Sequence, residues 1–146
     1  MLCMTLIFIF KGGKMESILM FLIPKAECEY LNNNSTIRQA LEKMEYHRYT
    51  AIPVLDNDGK YVNTLTEGDL LWTIKKKYFL NFKEAEDSYI KDITPNREVL
   101  AVDCNASLRD VIEKLLNSNF VPVVDDRGVF IGIITRKRIL SYYFKK

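Results

Sequence analysis

A chain of 146 residues can form one compact domain with a real core, and 48% hydrophobic with 27% charged residues is ordinary for a globular protein. A formal net charge of +2 is too small to argue for nucleic acid, and the single histidine, His47, excludes a histidine-rich metal site. Cys3, Cys28 and Cys104 are too widely spaced for a metal or redox motif, so they are expected to be reduced thiols of a cytoplasmic protein.

The first ten residues are apolar but too few to span a bilayer, and they lack the features of a secretory signal. Codons for Lys11 to Met15 can spell a ribosome-binding sequence followed by a start codon. We therefore expect translation to begin at Met15 and residues 1–14 to be a non-native or disordered extension. Residues 17–23 suit a short helix or strand, and 29–31 a short strand. Ser35 is an expected N-cap, and Ile37, Ala40, Leu41 and Met44 follow helical spacing. Residues 51–55 and 60–65 read as a hairpin around the turn Asp56-Asn57-Asp58-Gly59. A second helix is expected from 67 to 77.

Residues 79–96 read as a linker, after which the series recurs. A strand is expected near 99–102, a helix at 107–117, a hairpin over 120–134 and a last helix at 136–144. Residues 121–140, VPVVDDRGVFIGIITRKRIL, lie over residues 52–71, IPVLDNDGKYVNTLTEGDLL. Pro53 falls on Pro122, Asp56 on Asp125, Gly59 on Gly128 and Thr66 on Thr135. The preceding helices also align, with two extra residues in the first copy. The expected fold is α/β (α+β), with two β-α-β-β-α repeats, 17–78 and 97–146. They should pack through their sheets about a pseudo-twofold axis, because about 60 residues bury too little surface to stand comfortably alone. Pro53 and Pro122 lack a backbone donor, which suggests edge positions or strand ends.

Two similar clefts follow from such symmetry. Thr66 and Asp69 sit at a helix start, where free backbone N–H groups favour anions and a carboxylate can accept from both hydroxyls of a ribose. The same Thr-x-x-Asp spacing also makes a capping box. In the second copy Thr135 is followed by Arg136, Lys137 and Arg138. Three cations at a helix N-terminus are unfavourable unless an anion joins them, or unless they fan into solvent. Thr50, Ala51, Ile52 and Pro53, with Asn119, Phe120, Val121 and Pro122, suit either an apolar slot of nucleobase size or plain core. Lys25, Ala26 and Glu27 precede the first strand and can offer backbone groups to a base edge. Lys25, His47 and Arg48 are also within plausible reach of a phosphate. Asp56 to Gly59 starts like a calcium loop, but the remaining ligands are missing.

The paired helix, apolar-Pro-Val strand, Asp-rich turn with Gly and strand closing in Thr resemble a tandem CBS-domain pair, or Bateman module, over residues 17–144. The stand-alone bacterial proteins of Firmicutes are the nearest type. The resemblance implies a ligand sensor for AMP, ADP, ATP, S-adenosylmethionine or cyclic di-AMP, assembled as a disc-shaped homodimer. It implies that Asp69 holds ribose, with Thr66, Thr50 to Pro53 and Lys25 to Glu27. In the second copy it points to Thr135, Asn119 to Pro122 and residues around Asp92 to Thr94. Two departures stand out: Gly132 is replaced by Asn63 in the first copy, and Asp69 by Arg138 in the second.

These features lead us to expect a regulatory protein that is not an enzyme, takes no cofactor or metal, and passes its ligand state to an effector protein. No membrane partner is expected. A nucleic-acid-binding regulator, based on Lys75 to Lys77 and Arg136 to Arg138, is the first alternative. A structural dimerisation module with vacant clefts is the second.

Overall fold

The computed structural model describes residues 17–144. In chain order the elements are β1 (Ile23–Pro24), β2 (Leu31–Asn32), α1 (Ile37–His47), β3 (Ala51–Leu55), β4 (Tyr61–Thr66), α2 (Glu67–Tyr78) and α3 (Phe82–Ala85). They continue as β5 (Val102–Asp103), α4 (Leu108–Leu115), β6 (Phe120–Val124), β7 (Phe130–Thr135) and α5 (Arg136–Phe144). The two β-α-β-β-α series are therefore present, in two sheets of order β2-β3-β4 and β1-β7-β6-β5. The extension at 1–14 and the expected start at Met15 lie outside the described residues.

Local chemistry sets the element ends. Thr36, not Ser35, caps α1: its side chain accepts from Gln39 N–H while Gln39 bonds back to Thr36 N–H. The carbonyl of Ser35 instead accepts from Ile90 N–H at 2.9 Å. α1 has 11 residues and α4 has 8, so the first copy's extra residues lengthen its helix. In each hairpin turn one Asp carboxylate accepts two backbone N–H groups, Asp58 and Lys60 on Asp56, Arg127 and Val129 on Asp125. Gly59 and Gly128 follow at φ 77° and 81°, a region open to glycine at little cost.

The prolines are not at edges. β3 and β6 are interior strands, and Pro53 and Pro122 are buried. The strands beside them are short: β2 pairs only with Val54 and Leu55, and β5 only with Val123 and Val124. Each proline thus lies just beyond the stretch where its parallel neighbour is paired, and its missing donor breaks no ladder on that side.

The two repeats meet tip to tip. Phe130 N–H donates to Gly59 carbonyl at 3.0 Å, and Tyr61 N–H donates to Gly128 carbonyl at 3.2 Å. This reciprocal pair exchanges equivalent residues of the two copies and marks the pseudo-twofold axis.

Among the described residues there are two hydrophobic clusters, and each is completed by chain from outside its own repeat. Ile18 and Phe21 are buried with Val111, Val121 and Ile134 of the second repeat. Ala85, Ile90 and Ile93 are buried with Ile37, Ile52 and Leu65 of the first. The stretch expected to be a linker is thus part of a core, and residues 18–24 serve the second sheet rather than the first. Burying each large aliphatic side chain contributes about 1.5–3 kcal/mol, which favours this exchange over free ends. The β1–β7 pairing needs Gly132: a Cβ there would lie 2.1 Å from Ile23 carbonyl oxygen. Asn63 holds the equivalent place in β4, and among the described residues the first sheet has three strands.

Candidate functional site

Thr66 ends β4 and caps α2. Its Oγ1 accepts from Asp69 N–H at 3.1 Å, leaving its own O–H to donate. Asp69 is buried, with 3% of its surface exposed. Its Oδ2 accepts from Thr66 N–H at 2.9 Å, completing the capping box, and its Oδ1 accepts from Asn96 N–H at 2.8 Å. The carboxylate therefore joins the first repeat to the strap that enters the second. A carboxylate has about four lone-pair sites, so two bonds leave acceptor capacity.

Beyond Asn96 the strap lines a cavity of about 670 Å³. One wall is residues 97–102; the opposite wall is α4 with Asn117, Ser118, Phe120 and Val121. Arg97 donates to Asn117 carbonyl at 2.8 Å and to Ser118 Oγ at 3.1 Å, bridging the two walls. Tyr61 O–H donates to Val99 carbonyl at 2.7 Å and lies 2.8 Å from Thr64 Oγ1. Burial pushes the Tyr61 phenol up to about 12. With Val99 tied to Tyr61, β5 begins at Val102 instead of near Val99.

The expected site residues divide. Thr50, Ala51, Thr66 and Asp69 gather at the start of α2: Ala51 pairs with Thr66, and Thr50 carbonyl accepts from Glu67 N–H at 3.0 Å. Ile52 and Pro53 are buried in β3. Phe120 and Val121 line the cavity, Asn119 carbonyl accepts from Arg136 N–H at 2.8 Å, and Pro122 is buried. Lys25, Ala26 and Glu27 form a 3₁₀ turn after β1. Lys25 Nζ sits 5.1 Å from the Tyr30 ring centre and against the Gly59 turn, at the far end of β4 from Thr66. Ile93 is buried in the first core. Asp69 is therefore met by the second repeat's entry strap and not by the 25–27 turn of its own repeat.

The basic triplet also divides. Arg136 Nε donates to Leu115 carbonyl at 2.8 Å and its Nη2 to Ser118 carbonyl at 3.0 Å. Arg136 thus satisfies the open C-terminal carbonyls of α4 and is not free for an anion. Lys137 and Arg138 are exposed, and Thr135 Oγ1 accepts from Arg138 N–H at 3.1 Å. His47 faces Glu29 at 3.7 Å and stacks on Tyr49. Glu29 also pairs with Lys43 at 3.1 Å, and that hydrogen bond holds its carboxyl below the usual range.

Asn96, Arg97 and Tyr61 were missed from the sequence. The repeat alignment itself held the signal for the first two, since the strap ahead of β5 must pass the start of α2 if the copies meet head on. Among the described residues no group of three or more His, Cys, Asp or Glu could hold a metal ion. No described helix is long and apolar enough to cross a membrane.

Similar proteins share this architecture. The CBS domain family matches twice, at residues 23–76 and 90–145. A CBS domain protein from Streptococcus pneumoniae TIGR4 is 29% identical, with a TM-score of 0.76 over 92% of each chain. The CbpB protein of Listeria monocytogenes, solved in complex with c-di-AMP, is 21% identical, with a TM-score of 0.79 over 89% of this chain and 96% of that one. CBSX2, solved in complex with AMP, is 24% identical, with a TM-score of 0.71 over 88% and 96%. At these last two identities the likeness shows the fold alone. The chain spans less than half the length of several curated relatives it matches, among them enzymes that carry CBS segments. With both repeats matched and the two-sheet fold in common, the chain belongs to the CBS domain family, as a tandem pair.

Proposed function

We propose that this CBS pair senses an adenine nucleotide, bound in the cavity between the 97–102 strap and α4, with Asp69 held at the start of that strap through Asn96. The observation that carries the reading is the Asp69–Asn96 hydrogen bond, which fastens a buried carboxylate of the first repeat to the residue just ahead of the strap that walls the cavity. Its volume falls in the range usual for small-molecule sites, about 300–1,000 Å³. Phe120 and Val121 offer an apolar face for a base. Asp69 offers acceptors to a ribose, and Thr66 O–H with Arg97 offers donors to a phosphate. That two proteins of this fold were solved with c-di-AMP and AMP supports the choice of ligand class.

The protein acts as a regulator and not as an enzyme in this reading, and it signals to an effector protein. It forms a homodimer through the groove of about 600 Å³ between α1 and α2, where Leu41, Met44, Leu70, Leu71 and Ile74 are joined by Glu45, Arg48 and Glu67. A thermal-shift panel of AMP, ADP, ATP, S-adenosylmethionine and cyclic di-AMP tests the ligand. A ligand at a hundred times its Kd adds about 2.7 kcal/mol of stability. No stabilisation by any of the five contradicts the reading.

A further inference from the structure

The end of α2 displays large apolar side chains to solvent. Phe79 and Leu80 both adopt left-handed backbone, at φ 51° and 66°. Such geometry is unfavourable for bulky residues and persists only where surrounding bonds impose it. Here Leu80 N–H donates to Ile74 carbonyl at 3.0 Å and Asn81 N–H to Tyr78 carbonyl at 2.8 Å. Tyr78 O–H is fixed in turn, 2.6 Å from Ser88 Oγ. The pinned turn leaves Phe79 88% exposed and Leu80 64% exposed, with Phe82 exposed beside them.

The surroundings carry more cations than free acids. Lys75, Lys76, Lys77 and Lys83 are all exposed, and none is in an ion pair among the described residues. No acidic residue occurs from 70 to 83; the exposed acids Glu84 and Asp87 follow, and Glu86 is paired with Arg38. Trp72, half-exposed, lies under Lys75 Nζ at 5.4 Å from its ring centre. An apolar tip in left-handed backbone, flanked by lysines that make no ion pair, with an exposed indole two helical turns back, complements one kind of surface: an apolar layer beneath fixed negative charge. Nucleic acid offers the charge but nothing for Leu80 to enter.

We propose that this turn docks on an anionic lipid surface, with Phe79 and Leu80 entering the interface and the lysines pairing with headgroups. This is peripheral contact, not a span, and it is independent of the nucleotide site.

The test is sedimentation of the full chain with vesicles of phosphatidylcholine alone and with roughly a third phosphatidylglycerol, at low and physiological salt. Emission from Trp72, the chain's one tryptophan, reports insertion. Binding to the anionic vesicles, a blue shift, and weakening by salt are expected. Phe79→Asn/Leu80→Asn keeps a residue type that tolerates left-handed backbone, so it is expected to melt no lower than the parent yet bind at least about tenfold more weakly. Lys75→Gln/Lys76→Gln/Lys77→Gln is expected to abolish the anionic preference. No association of the parent, association indifferent to lipid charge, or undiminished association of the Asn variant overturns the proposal. So does dissociation of a parent homodimer by the Asn variant, or loss of its affinity for RNA with no effect on vesicles.

Discussion

The backbone N–H of Asn96 donates to Oδ1 of Asp69 at 2.8 Å, across 27 residues of chain. The same carboxylate closes the α2 capping box through Oδ2. One side chain thus starts a helix and fastens the first repeat to the strap whose next residues wall the cavity. Asp69→Ala is expected to cost about 1–3 kcal/mol of stability from the lost cap and the orphaned Asn96 donor. Asp69→Asn keeps one acceptor but turns an NH2 donor on one of the two N–H groups, so it is expected to lose about 1–2 kcal/mol as well. Urea unfolding checks both variants. A loss below about 0.5 kcal/mol in both would show that the acceptor role is misassigned.

Gly132→Ala places a Cβ against Ile23 carbonyl and is expected to expel β1. Ile18 and Phe21 would leave the second core with it, for a loss of about 2–4 kcal/mol. Gly128→Ala has open space around the new Cβ and only its φ of 81° to resist it. It is expected to cost about 1 kcal/mol. Hydrogen exchange at Ile133 separates the two: protection falls in the first variant and persists in the second.

Much of this was legible in the sequence, and the reason is local. Asp56, Gly59, Asp125 and Gly128 dictate their turns through bonds two to four residues long, and the helices follow apolar spacing. What escaped was non-local. Nothing within residues 17–24 says that they complete the other repeat's core, although Gly132 against Asn63 marked the sheet that accepts a fourth strand. Arg136 read as one of three surface cations because its partners, Leu115 and Ser118, are some twenty residues away. Asp69 read as both cap and cleft residue, and the geometry keeps both roles open by giving its two oxygens different partners.

Tyr61 gives a pH signature. Burial raises its pKa to about 12, from the ordinary phenol value of about 10. The folded state therefore holds the phenolic proton where the unfolded chain has lost it, and the extra stability is present below pH 10. It is expected to fall by about 2–3 kcal/mol as pH rises from about 10 to about 12. Tyr61→Phe should lose the bond to Val99 carbonyl, at about 1 kcal/mol, and flatten that alkaline slope. Denaturant titrations at stepped pH test this; identical slopes in the two proteins would contradict it.

Arg136 and Arg138 are expected to behave oppositely. Arg136→Ala strips one hydrogen bond from the Leu115 carbonyl at the end of α4 and one from Ser118 carbonyl beyond it, and should cost about 1–3 kcal/mol. Arg138→Ala removes an exposed side chain and should fall within about 0.5 kcal/mol of the parent. Thermal melts of the pair check the contrast.

Calorimetric titration of the parent and of Asp69→Asn with AMP, ADP, ATP, S-adenosylmethionine and cyclic di-AMP bears most directly on the sensor reading. The account predicts saturable heat from at least one adenine nucleotide with the parent. It predicts affinity lower by ten- to a hundredfold in the variant, about 1.4–2.7 kcal/mol, while a melt shows the variant still folded. A folded parent that takes up none of the five, or a variant that binds as tightly as the parent, would contradict it.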